Sequence, residues 1–224
     1  MRNGDSPIRF EEVFAVVTLA HKYGIEDIQA QALSFLEDTG YFSSKLHRFQ
    51  NPDSKKLSVE PAHAIGAVIL AKLTDTPSML PSALFRGCAL GGDLLDGWSR
   101  ADGTVWHLAL DDAKRCVSAR TKIAHVGWRT FRMLFDDTVN VTCARRDKCR
   151  TGLRKLGAAA QDRQSMERST LWNWSDDLCD GLTDGWICES CYDMLEERNR
   201  LMLRRVWECL PALFGLAIDP WPTT

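Results

Sequence analysis

Apolar residues recur at helical spacing along most of this chain, and the first clear run spans Phe10 to Glu37. Val13, Val16, Val17 and Ala20 form one stripe, and Ile25, Ile28, Ala32 and Leu36 form a second, with the three-and-four spacing of amphipathic helices. Gly24 lies between them, where a residue free to turn left-handed closes a helix, and Lys22 sets a positive charge near the carbonyl end of the first. The pattern predicts a helical hairpin with no reactive group in it.

The next stretch, Gly40 to Lys56, is rich in Ser, Asn, Pro and charge, and reads as a connecting segment with a helical turn over Ser43 to Phe49. Ala62, Ile65, Ile69 and Leu73 then mark a helix ending near Thr74. Thr76-Pro77 opens another, with the hydroxyl placed to cap an amide and proline suited to the first turn, and Met79, Leu80, Ala83, Leu84 and Cys88 continue it. Gly91-Gly92-Asp93 breaks the chain. Asp102-Gly103 predicts a tight turn joining two short strands between Leu95 and Leu108.

From Asp111 a longer helix is predicted, with Ala113, Val117, Thr121, Ala124, Trp128, Phe131 and Phe135 as its apolar stripe. A further helix is expected to run to about Arg168. The last, Tyr192 to about Leu210, turns Leu195, Met202 and Val206 inward and Glu196, Glu197, Arg198, Arg200, Arg204 and Arg205 outward, and the tail lays Leu213, Phe214, Leu216 and Trp221 on the core. The expected fold class is mainly α: stacked helical hairpins with one short β-hairpin near residues 95–108.

Several of these segments carry a family resemblance. The pattern F-x-x-V from Phe10, then Leu19-Ala20-His21-Lys22-Tyr23-Gly24-Ile25, resembles the closing helices of BTB (POZ) domains, particularly those of fungal BTB proteins. Leu73 to Pro81, Gly97-Trp98, Asp102-Gly103 and Leu108 to Cys116 are similar to the helical region that follows the domain in that group. Ile187-Cys188-Glu189-Ser190-Cys191 and Trp207 to Leu216 are similar to its cysteine pair and final charged helix. The resemblance implies three regions: 1–40, a remnant of the closing BTB helices; 41–137, the post-BTB helices; and 138–224, a helical C-terminal region holding a four-cysteine cluster. Most of a BTB domain's core would then lie outside the chain. The implied function is a non-enzymatic protein–protein interaction module, a substrate-recruiting or scaffolding adaptor that self-associates or docks on a cullin-type scaffold.

With 28 basic and 30 acidic residues the net charge is -2, so no overall field draws the chain to nucleic acid or anionic lipid. The longest apolar run, Ala64 to Ala71, falls far short of the roughly 20 residues that cross a bilayer. The first ten residues lack the apolar centre of a secretory signal, so the expected location is intracellular, cytoplasmic or nuclear. On that expectation the sequons at Asn140 and Asn173 have no glycosylation role.

Eight cysteines in a chain expected to stay inside the cell point to thiols or metal ligands rather than disulfides. Cys88, Cys116 and Cys209 sit singly among apolar neighbours and read as core fillers; Cys179 is a spare. Cys143-x5-Cys149 and Cys188-x2-Cys191 remain. Two such pairs can supply the tetrahedral sulfur set that zinc prefers, and four thiolates leave no position open for catalysis, so Cys143, Cys149, Cys188 and Cys191 read as a structural cysteine cluster, with zinc or without it, against the plainer reading of separate reduced thiols. The rival reading, a redox pair at Cys188 and Cys191, requires a strand-helix-strand unit that the pattern does not show.

No phosphate-binding loop, nucleophile elbow or zinc-protease helix is present, and the five histidines are scattered; no catalytic residue is expected. The run Arg145, Arg146, Lys148, Arg150, Arg154 and Lys155 offers the alternative function, a nucleic-acid-associated regulatory protein with a structural zinc site, against its plainer reading as a solvated face.

Overall fold

The computed structural model describes residues 6–162 and 170–222. The fold is mainly α, with nine α-helices and two short two-stranded sheets among the described residues. The chain divides into two compact units, Met1–Thr121 with Glu208–Thr224, and Lys122–Trp207. Both divisions fall within long helices, Leu110–Leu134 and Glu189–Leu213.

In the first unit, β1 (Ile8–Arg9) leads into α1 (Phe10–Tyr23) and α2 (Glu26–Asp38). Gly24 takes a φ of 66°, and the Ile25 N–H donates to the Ala20 carbonyl at 2.9 Å, closing α1 as predicted. The segment after α2 contains α3 (Leu46–Gln50) and β2 (Leu57–Ser58), which pairs in parallel with β1, Ile8 opposite Leu57. That pairing was not legible in the sequence. Nor is the segment a loose link: Phe42 and Phe49 are buried in it, and Arg86 holds it by donating to the Tyr41 and Phe49 carbonyls while its guanidinium lies over both rings.

Helices α4 (His63–Leu73) and α5 (Leu80–Ala89) form the second hairpin. Thr76 does not cap α5. Its hydroxyl lies 2.9 Å from that of Thr74, and the chain enters α5 through a single 3-10 turn, Pro77–Met79. β3 (Trp98–Ser99) and β4 (Val105–Trp106) pair antiparallel around a turn with Gly103 at a φ of 83°, the hairpin that Asp102-Gly103 predicts. Trp98 packs edge-on against Phe10 and Phe14, and His63 stacks on Phe10 at 4.8 Å. These rings form the centre of the core.

Helix α6 (Leu110–Leu134) corrects the predicted stripe. Only Ala113 and Phe131 of that set are buried; Val117 and Trp128 face outward, and the inner face is Cys116, Ala119, Ile123, Phe131 and Leu134. The buried face is rotated by one position from the predicted one, with Cys116 inward in place of Val117 and Ile123 in place of Ala124, while Thr121, Ala124 and Trp128 are exposed. Cys88 and Cys116 are buried as expected, whereas Cys209 is exposed.

The second unit holds α7 (Arg146–Asp162), α8 (Ser175–Thr183) and most of α9 (Glu189–Leu213); the predicted helix end at Arg168 lies outside the described residues. Phe131, Leu134, Leu153, Leu156, Trp174, Leu178, Ile187 and Leu195 build its core together with Cys143, Cys149 and Cys191. On α9, Leu195 and Val206 are buried as predicted, while Arg198 is drawn in from the expected outer face. In the tail, Phe214 is buried, and Arg115 donates to its carbonyl at 2.8 Å. No helix among the described residues is long and apolar enough to cross a membrane.

Part of the first hairpin stays open to solvent. Val16, Leu19 and Tyr23 on α1, with Ile28 on α2 and Ile25 just before it, are exposed; Ile25 and Ile28 keep 45% and 44% of their surface. The second predicted stripe is therefore anchored by Leu36 and leaves its N-terminal half uncovered.

Candidate metal centre

Four cysteines meet at one point of the second unit. The sulfurs of Cys143, Cys149, Cys188 and Cys191 all lie within 4.8 Å of one another. Cys143 sits in the turn before α7, Cys149 in its first turn, Cys188 just before α9 and Cys191 in its first turn. A tetrahedral zinc with bonds of about 2.3 Å sets its sulfurs roughly 3.8 Å apart. The Cys143 and Cys188 sulfurs are 3.7 Å apart. The donor set and its spacing fit a metal ion.

The backbone shows why two distant turns converge. Asn140 accepts from the Thr142 N–H and hydroxyl through Oδ1, both at 2.9 Å, and its carbonyl accepts the Cys143 N–H at 3.0 Å. Its Nδ2 donates to the Ser190 carbonyl at 2.7 Å, so one side chain shapes the first turn and ties it to the second. The Asn-x-Thr sequon is thus a structural Asx turn, and Asn173 repeats the arrangement with Ser175. In the second turn the Cys191 and Tyr192 N–H groups both donate to the Cys188 carbonyl. Gly152 completes the approach: a Cβ there would stand 2.1 Å from the Trp186 carbonyl oxygen, so only glycine lets α7 come this near the turn carrying Cys188.

The sulfurs are electrostatically unequal. Burial pushes the Cys191 thiol up to about 12, against a hydrogen bond from the Asn140 backbone and with Cys143 and Cys188 adding to the rise. Burial first and then the Cys143 thiol raise Cys149 as well. Burial also opposes ionisation of Cys188, but hydrogen bonds from the Ser190 hydroxyl, the Cys191 backbone and the Cys143 and Cys149 thiols outweigh it and bring Cys188 down to about 6. Four thiols so close cannot all ionise without a cation among them; a divalent ion resolves that conflict.

The basic run beside the site is largely engaged within the unit. Arg145 donates to the Ile187 carbonyl and Arg146 to that of Val141. Arg154 forks onto Asp137, Arg150 pairs with Asp147 at 3.5 Å, and Lys155 lies over the Trp186 ring. Cys179, the predicted spare, is exposed and outside the cluster. The rival redox reading needs a strand leading directly into Cys188, and the chain instead arrives from α8 through a turn at Gly185 with a φ of 69°. Sequence spacing finds all four sulfurs, but not the positioning roles of Asn140, Gly152 and Ser190; of these only Asn140, two residues before a threonine, carries a local signal, that of an Asx turn.

No family model, curated protein or solved structure matches the chain.

Proposed function

We propose that this protein is a non-enzymatic interaction module whose second unit is stapled by a structural zinc ion on Cys143, Cys149, Cys188 and Cys191. The observation that carries the reading is the convergence of four sulfurs from two turns far apart in sequence to within 4.8 Å. Sulfur-only ligation favours zinc over the oxygen-seeking cations, and a filled tetrahedron has no vacancy at which to activate water.

The interaction role draws its support from the open apolar face of the first hairpin, Val16, Leu19, Tyr23, Ile25 and Ile28, since contiguous exposed apolar surface marks contact with other macromolecules. The likeness of this hairpin to the closing helices of BTB domains suggests the class of partner, a cullin-type scaffold or a second copy, and an adaptor role. The alternative of nucleic-acid binding is less well supported, because five of the six basic residues after Cys143 already have partners in the unit.

Elemental analysis of purified chain tests the metal, with about one zinc per chain expected for a four-sulfur site and loss of the ion on Cys149→Ser or Cys191→Ser. Binding to a purified cullin scaffold, and the self-association state, are then compared between the parent chain and Ile25→Asp/Ile28→Asp. A metal-free chain that keeps its native spectrum sinks the staple, and a double variant that binds and associates as the parent does sinks the face.

A further inference from the structure

Three of the four sulfur residues are sealed in the core of the second unit: Cys143 is 5% exposed, and Cys149 and Cys191 are fully buried. Cys188 alone of the four is partly open to solvent. A small oxidant that reaches the cluster therefore meets Cys188 first. A second sulfur stands ready beside it, because Cys143 lies 3.7 Å away on the other turn. Forming a bond of about 2.05 Å requires the two sulfurs to close by less than 2 Å, within reach of side-chain rotation.

We propose that Cys188 is an oxidant-sensitive corner of the proposed metal centre, and that a hydroperoxide such as hydrogen peroxide links it to Cys143 as a disulfide and expels the metal. The inference rests on the zinc reading above. In the first step the Cys188 thiolate attacks one peroxide oxygen; the O–O bond breaks, the sulfur becomes a sulfenic acid and hydroxide leaves. In the second the Cys143 thiolate attacks that sulfur, the S–S bond forms and a second hydroxide departs. With two protons from solvent the balance is two thiolates and one peroxide giving one disulfide and two waters. Cys149 and Cys191 are then the only sulfur ligands left, half of the tetrahedral set.

The identity of the second sulfur decides what becomes of the fold. A Cys143–Cys188 bond joins the same two turns that the metal joined, so the covalent link takes over the staple. A Cys188–Cys191 bond would lie within one turn and leave the other free. Oxidation along the proposed route would release the ion and keep the unit folded.

The test uses zinc-loaded full-length protein carrying Cys179→Ser and Cys209→Ser, which removes the two exposed thiols outside the cluster. Hydrogen peroxide is added, zinc release is followed with a chromogenic chelator, and the products are mapped by peptide mass spectrometry without reduction. The expected result is release in step with a single Cys143–Cys188 cross-link and a retained helical spectrum, reversed by dithiothreitol and added zinc. A Cys188–Cys191 cross-link, a disulfide to Cys149, oxidation of Cys188 with no cross-link, or a centre that survives a large molar excess of peroxide each overturns the proposal. Protein that carries no zinc before peroxide is added refutes the metal reading instead, so the two failures are distinguishable.

Discussion

Two side chains show how much single residues decide in this molecule. His63 is buried against Phe10, and its Nδ1 accepts the Glu60 N–H at 2.9 Å. Only the neutral ring can accept there, and burial lowers its pKa against the opposing pull of Glu60 and Glu11. With the folded value depressed, the unfolded chain binds more protons in acid. The contribution of His63 to stability is therefore complete above the unfolded value of about 6.5 and fades as pH falls through the folded one. Urea unfolding should show a lower midpoint at pH 5 than at pH 7.5, and His63→Gln should flatten that slope; an equal pH dependence in both proteins would count against this role. Gly152 is the second case. A methyl group there meets backbone rather than a movable side chain, so Gly152→Ala should cost about 1–3 kcal/mol by overpacking and weaken metal retention in a chelator competition. Gly92→Ala, with open space around its Cβ, should change neither. Spacing could nominate the cysteines because metal chemistry is local to residue type, but His63 and Gly152 owe their roles to what the fold brings against them.

At the scale of elements, helix existence was legible and helix orientation was not always so. The αL closure of α1 and the β3–β4 turn follow from glycine backbone freedom, a property of the residue itself, and both stand in the structure. On α6 two adjacent faces both carry apolar residues at helical spacing, so periodicity alone does not choose between Val117, Ala124 and Trp128, which are exposed, and Cys116, Ala119 and Ile123, which are buried. The parallel pairing of Ile8 with Leu57 left no local trace, since a two-residue strand has too short a pattern to read. Arg198 shows the same limit on α9. Its place among charged neighbours predicts an outer face, yet Nη1 donates to the Met133 and Leu134 carbonyls at 3.1 and 3.3 Å and to Asp136 at 2.8 Å. It thereby satisfies carbonyls that the end of α6 leaves without helical partners. Removing this charged donor in Arg198→Ala should cost about 1.5–3 kcal/mol, read as a lower melting temperature. Arg205→Ala, at an exposed position of the same helix, serves as the control that should melt as the parent does.

At the scale of the whole molecule, both units have packed aromatic rings in their cores, and the second adds the four-cysteine cluster. The first has the aromatic cluster of Phe10, Phe14, His63 and Trp98, with Leu57, Ile65, Leu70 and Leu84 buried around it. The second places three buried cysteines among its apolar core residues, so the proposed ion would sit where other domains put aliphatic packing. Binding free energy at such a site becomes folding free energy, because the unfolded chain does not gather the four sulfurs. A ligand held at a thousand times its dissociation constant adds about 4 kcal/mol to the state that binds it, a large fraction of the roughly 5–15 kcal/mol by which native proteins are stable. Chelation should therefore act locally. Hydrogen exchange on zinc-loaded protein, with and without a strong chelator, should show faster exchange at the amides of α7 and α8, while those of α1 and α4 keep their protection. Equal loosening of both units would mean that the metal supports the first unit as well, and unchanged exchange everywhere would mean that apolar packing alone holds the second.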